Sequence, residues 1–210
     1  MRHDSSKQKQ HSHWGLTNDK KTGSEGVTSS HNSVWFYAGV NKPNVLELNK
    51  TLKMVTSKNL TLQHDLGLEE RIPIKLHINS GGGLIVAGVS GMDAILRNSV
   101  PVHTVVDGFC ASAATFMSVA GHKRSITENS FMLIHELSTN FWGKYKEFED
   151  EKRNLDLMMD MIKSVYSRHT HVPSKELDGV LKHDLMWDSQ KCLDLGLVDE
   201  IIHSVNVSTE

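Results

Sequence analysis

Apolar and polar positions divide the chain into a polar leader and a patterned body. Residues 1–32 are rich in Ser, Lys, Gln, His, Asn and Gly and nearly free of aliphatic side chains. Such a segment buries too little apolar surface to offset the entropy of ordering it, so disorder is expected there. From residue 33 the pattern changes. "SVWFYAGV" predicts a strand, and Val45 to about Lys58 a helix with Leu46, Leu48, Leu52 and Val55 in loose periodicity. "QHDLGLEERI" reads as a loop, followed by strand "IKLHI", glycine-rich "NSGGG" and helix "LIVAGVSGMDAILRN". Strand "VHTVV", Gly108, a small-residue helix closed by Gly121, and strand "SFMLIH" continue the series. Strands alternating with helices predict βαβ units and a largely parallel sheet, hence an α/β fold in a single domain over residues 33–206.

Beyond His135 the pattern turns helical. Between about residues 144 and 170, Tyr145, Phe148, Leu155, Met158, Met159, Ile162 and Tyr166 recur at helical spacing in a charged background. Glu149 and Arg153 stand four apart, a favourable helical pair. The pattern fits equally a core helix of this chain and an arm that packs on another subunit. Pro173 and Ser174 open a short helix with Ser174 as its expected N-cap, "DLMWD" is extended, "SQKCLDLG" is helical up to Gly196, and "LVDEII" is a last strand.

Composition then narrows the classes. A chain of 210 residues is long enough for a real core, and a formal charge of -2 gives no electrostatic reason to propose nucleic acid. No run approaches the roughly 18 apolar residues of a membrane span. The beginning of the chain carries no apolar signal region, so a cytoplasmic setting is expected. Cys110 and Cys192 have neither metal-like spacing nor a disulfide framework. The 13 histidines include His3, His11, His13 and His31 in the polar leader, and His122, His169 and His171 read most simply as surface residues. No metal and no cofactor are expected.

The candidate chemistry gathers where strands end. Ser112 follows "VHTVV" near a helix start, where free N–H groups and the helix dipole favour a developing negative charge. Ala111, Ala113 and Ala114 read as clearance for an approaching carbonyl. His135 ends "SFMLI", Asp184 precedes "LMW", and the glycines of "NSGGG" let backbone N–H groups face a ligand. These are the parts of nucleophilic serine catalysis: a hydroxyl, a base, an orienting acid and oxyanion donors. Each part also has a plain structural reading, and for Ser112 that reading is a helix cap. Cys110 is a rival nucleophile, with burial as a small hydrophobe its simpler role. Asp178, Asp188 and Asp194 compete with Asp184.

In combination these stretches resemble the ClpP family, the proteolytic subunit of the Clp protease. "INSGGGLIVAG" is similar to its INSPGG segment, and "GFCASAATFMSVAG" to its nucleophile segment. "MLIHEL" resembles the histidine segment, and "HDLMWDSQKCLDLGLVDEII" the segment that opens with the catalytic aspartate. The resemblance spans roughly residues 34–203, with the four motifs in the family's order. It implies a ClpP/crotonase-like fold of repeated βαβ units with a protruding handle helix at about 144–170. It implies Ser112 as nucleophile, His135 as base, Asp184 as orienting acid, and the N–H groups of Gly83 and Ala113 as oxyanion donors.

Further expectations follow from the resemblance. The chain is expected to act as a self-compartmentalising serine endopeptidase on unfolded proteins or peptides. It would assemble as a heptamer or stacked double heptamer, with a ClpX- or ClpA-like AAA+ unfoldase as partner and ATP used only by that partner. The compartment would be the cytoplasm of a bacterium or a phage-infected host. A weakly active or non-proteolytic ring subunit and a phage-specific maturation protease are the alternatives. An acyl-CoA enzyme of the crotonase type shares the backbone oxyanion device but not this triad. The chain departs from the family at Gly81 (usually proline) and at Ala113 and Ala114 (usually Met and Gly). "ELSTNFWG" lacks the usual Gly-Gly pair after the histidine. Lys75 and His77 replace tyrosines of the ATPase docking pocket, and Lys182 and His183 replace a charged pair between rings.

Overall fold

The computed structural model describes residues 26–204. A central sheet carries the chain, with strands β1 (Gly26–Ser30), β2 (Ser33–Tyr37), β3 (Ile74–Ser80), β4 (Val102–Ala111), β5 (Lys123–Thr127), β6 (Phe131–Leu133) and β7 (Glu200–Ile202). The order is β1-β2-β3-β4-β5-β7, with β6 also paired to β4. Only β1 runs antiparallel to its neighbour. The mixed α/β architecture with a mainly parallel sheet matches the expected fold.

The expected disorder through residue 32 is corrected at its end. Gly26–Ser30 pairs with β2 as a hairpin, turning at His31 with φ 53. Its side chains are mostly polar, but a ladder is made by backbone groups, and Val27 packs against the core. Residues 1–25 lie outside the described residues. Strand β5 was also hidden by its polar composition. It is held by β7, where Glu200 takes Lys123 Nζ at 2.7 Å and the Ser125 hydroxyl at 2.8 Å.

Helix α1 (Lys42–Asp65) is longer at both ends than the predicted Val45–Lys58. Asn41 caps it by accepting the Asn44 N–H at 2.9 Å, and proline fits its first turn, where N–H groups have no partner anyway. Helix α2 (Ile85–Leu96) follows the glycine turn, and α3 (Ala113–Val119) follows Ser112. Val34, Phe36, Leu48, Leu52, Ile74, Leu76 and Ile78 form the centre of the core, all nearly inaccessible.

Helix α4 (Tyr145–His169) matches the predicted long helix, and its last two turns fit the core-helix reading. Ile162, Val165 and Tyr166 are buried in this chain's core, whereas no residue before Ile162 is buried. Arg153 faces Asp150 at 4.0 Å instead of Glu149, which takes Lys146 at 2.8 Å, because three-residue spacing brought the closer partner. In α5 (Ser174–Leu181) Pro173 holds the cap position and Ser174 is the first helical residue. Its hydroxyl lies 3.1 Å from that of Ser167. Helix α6 (Ser189–Asp194) ends at Gly196 with φ 65, as predicted. Among the described residues no helix is long and apolar enough to cross a membrane.

Arg124 ties the far edge together. It reaches both carboxylate oxygens of Asp199 and donates to the carbonyls of His169 and Gly196. Burial would raise the Asp199 carboxyl pKa, but hydrogen bonds from Arg124 and its charge outweigh that and hold it below the usual value. Arg124→Met is expected to lower stability by about 2 kcal/mol, mostly by leaving two carbonyls without donors. A depressed carboxyl stabilises above its unfolded pKa of about 4 and loses that share as pH falls through the folded value. Thermal melts should therefore show the gap between wild type and variant narrowing below that pH.

Candidate active site

Strand β4 runs further than the sequence pattern suggested, because Gly108 lies inside it. Residues 103–106 pair with β5, and residues 109–111 pair with β6. Gly108, at φ 88, sits at the change of partner and donates its N–H to the Ser130 hydroxyl at 2.6 Å. A side chain there would meet the Asn79 amide at 2.9 Å. The extension carries the chain to Ser112 directly at the strand's end.

Ser112 has φ 54 and ψ −129. Such a conformation costs a β-carbon residue about 1–3 kcal/mol and persists only where its surroundings enforce it. It occupies the cap position of α3, yet its side chain makes no capping hydrogen bond. Its backbone is fully used. The N–H donates to Leu133 O at 2.8 Å, and the carbonyl accepts the Thr115 N–H at 3.0 Å and the Thr115 hydroxyl at 2.6 Å. The Ser112 hydroxyl has no hydrogen-bond partner among the described residues, so the capping role is set aside.

The alanines around it do different work from the clearance expected of them. Ala113 and Ala114 are buried, and a side chain on Gly88 of α2 would meet Ala113 O at 2.5 Å. Small residues on both helices let α2 press against the start of α3. Opposite them, Gly82 (φ 90) and Gly83 (φ 146) form a turn that only glycine adopts readily. Val40 fixes this turn by donating to Gly82 O at 2.8 Å and accepting the Leu84 N–H at 2.7 Å. The N–H groups of Gly83 and Ala113 have no protein partner among the described residues. A β-carbon on Gly82 would lie 2.7 Å from Ser112 Cβ and 3.2 Å from Ala113 N, so the turn and the Ser112 segment are in direct contact. The sequence does not mark the special parts of Gly82, Gly108 and Val40, since a glycine triplet looks like any flexible turn.

His135 follows β6, two residues beyond the Leu133 carbonyl that holds Ser112 N–H. Residues 181–187 run antiparallel alongside. Met132 and Trp187 exchange hydrogen bonds at 2.9 and 2.8 Å, and the Glu136 N–H donates to Leu181 O at 2.7 Å. That pairing brings Asp184 Oδ1 to 2.9 Å from His135 Nδ1. The competing carboxylates are engaged elsewhere. Asp178 pairs with Lys163, Asp188 caps α6 through Lys191 N–H, and Asp194 accepts the Gln190 amide. The rival Cys110 is fully buried, and burial, then the neighbouring Cys192, push its thiol pKa far up. A thiolate is disfavoured there. A cleft of about 310 Å³, lined by Glu136, Met159, Leu181 and Lys182 among others, flanks the paired segments that carry His135 and Asp184. Among the described residues no group of three or more His, Cys, Asp or Glu is arranged to hold a metal ion.

Comparison with known proteins agrees with this architecture. A family model described as Clp protease matches residues 33–205. An ATP-dependent Clp protease proteolytic subunit from Deinococcus radiodurans is 28% identical over 131 residues, which are 61% of this chain and 64% of that protein. The match thus spans less than two thirds of the relative's length. A solved structure of a ClpP1 point mutant from Listeria monocytogenes superposes with a TM-score of 0.71 at 24% identity, covering 83% of this chain and 92% of the other. The last likeness speaks to fold.

Proposed function

The chain belongs to the Clp protease family, and on that premise we propose that it is a serine endopeptidase with Ser112 as nucleophile, His135 as general base and Asp184 as the acid that orients it. The observation that carries the proposal is Ser112 itself, a strained residue at a strand end with an unspent hydroxyl. His135 Nδ1 faces Asp184, which leaves Nε2 to take the hydroxyl proton as Oγ attacks a peptide carbonyl. The oxyanion is met by the N–H groups of Gly83 and Ala113. The imidazolium returns the proton to the leaving amine, and an acyl group remains on Ser112. Water activated by the same imidazole then releases it. No cofactor enters this cycle.

Assembly and partners belong to the same proposal. Helix α4 leaves Tyr145 79%, Phe148 54% and Leu157 71% exposed. Tyr145 and Phe148, one turn apart, form an exposed apolar face at the start of α4 that suits a second copy of the chain, as the family's stacked rings require. The sheet face opposite Ile74, Leu76 and Ile78 bears on any unfoldase partner. There Trp35 stacks on His77 at 5.3 Å, and His77 Nδ1 and the Tyr37 hydroxyl both approach Asp107 Oδ2 at 3.0 Å. Burial first, then Asp107, push the Tyr37 pKa up to about 12. A docking segment for this face carries polar groups beside its apolar ones.

The test is a fluorophosphonate probe on the purified full-length chain, followed by peptide mapping. A single adduct on Ser112, with concurrent loss of cleavage of short fluorogenic peptides, is the expected result. An adduct on another residue, or none at all, overturns the assignment.

A further inference from the structure

Thr115 and Tyr166 stand fifty-one residues apart in sequence and meet beneath Ser112. Thr115 Oγ1 lies 2.6 Å from the Ser112 carbonyl oxygen and 2.7 Å from the Tyr166 hydroxyl. A carbonyl only accepts, so the Thr115 proton goes to Ser112 O. That proton is then spent, and the Tyr166 hydroxyl must be the donor to Thr115. The direction of the relay is thereby fixed, from Tyr166 to Thr115 to Ser112.

Both side chains are inaccessible, at 0% for Thr115 and 1% for Tyr166, so water does not compete for either bond. Burial raises the Tyr166 pKa far above the ordinary range and keeps it a neutral donor. Its ring is held against Phe116 of α3 at 5.9 Å. The target of the relay matters because of peptide geometry. The carbonyl of Ser112 and the N–H of Ala113 share one planar trans unit and point in opposite directions. Whatever fixes the carbonyl fixes the N–H as well.

Resting on the function proposed above, we infer that Thr115 and Tyr166 are positioning residues that hold the Ser112–Ala113 peptide plane, and so aim the Ala113 N–H at the oxyanion. Neither side chain touches substrate. Their role is to keep a strained peptide from rotating as charge develops beside it.

The experiment uses full-length Thr115→Val, Thr115→Ser, Tyr166→Phe and the Val/Phe double variant. Each is measured for kcat and KM on a short fluorogenic peptide, for the rate of fluorophosphonate labelling at Ser112, and for melting temperature. Complete loss of one oxyanion donor lowers kcat by about 10²–10³-fold, so misaiming one is expected to lower it by about tenfold or more in Thr115→Val. KM should stay within about twofold, since the plane acts on the developing oxyanion and not on bound substrate. Tyr166→Phe should lose several-fold. Thr115→Ser, which keeps the hydroxyl, should restore wild-type rates. The double variant should be no slower than Thr115→Val, because both changes break one relay. A wild-type labelling rate in Thr115→Val, a Thr115→Ser as slow as the valine variant, or multiplying losses in the double variant would overturn the inference. Absence of wild-type labelling at Ser112 would instead overturn the function on which it rests.

Discussion

Ser112→Ala is expected to lower kcat for peptide hydrolysis by about 10⁶-fold, with His135→Ala doing nearly the same and the double variant no worse than either. In the proposed mechanism serine and histidine act as one unit, since the hydroxyl is a weak nucleophile until the imidazole takes its proton. The structure sets this chemical loss apart from a structural one. The Ser112 hydroxyl makes no hydrogen bond among the described residues, and alanine at φ 54 carries about the same backbone strain as serine. His135 leaves behind only Asp184, whose side chain is 73% exposed, so no buried charge is orphaned. The melting temperature of each variant should therefore lie within a few degrees of wild type. Exposure of Asp184 also screens its hold on the imidazole, so in the proposed mechanism most of the loss falls on the other two residues. Steady-state kinetics and thermal melts on the three variants check this. Multiplying losses, or an alanine variant keeping more than about one hundredth of the activity, would separate the two residues and sink the pairing.

The parts of the molecule legible in the sequence share a cause. β3, β4 and β6 carry apolar runs, so the strand ends that present the "NSGGG" turn, Ser112 and His135 were visible. β1 and β5 escaped notice because polar side chains hide a ladder that backbone groups make. The full length of β4 escaped because Gly108, normally a strand breaker, here marks a change of pairing partner. Asp184 was singled out among four aspartates by resemblance alone. The physical reason is the antiparallel pairing of residues 132–136 with 181–187, a long-range fact that no local pattern encodes. In the sequence the alanines after Ser112 suggest open space, whereas the helix facing them has glycine at the contact and closes that space. Thr115 and Tyr166 looked like ordinary helix positions, since nothing in either neighbourhood announces a partner half a hundred residues away.

Gly82→Ala is expected to disable the site through its backbone, lowering kcat by about 10²-fold or more and stability by about 3 kcal/mol. Gly82 has φ 90, a region that L side chains rarely enter, and the conformation alone costs about 1–2 kcal/mol with a β-carbon present. The added carbon would also stand 2.6 Å from Ala111 O and 2.7 Å from Ser112 Cβ. Neither neighbour can yield easily. Ala111 is locked in the β4–β6 ladder, and Ser112 is held by Leu133 and Thr115. The turn itself must retreat, and Val40, which bonds Gly82 O and Leu84 N–H, then loses its partners. Because Gly83 is the next residue, the same retreat withdraws its N–H from the proposed oxyanion position. Gly39→Ala is the matched control. Its φ is not in the left-handed region and its nearest obstacle, Gly82 O, lies 3.9 Å away, an ordinary contact. Urea melts and peptide kinetics on the two variants should therefore diverge sharply. Equal behaviour, with both folded and active, would mean that the glycine turn is loose enough to reshape and does not define the oxyanion site.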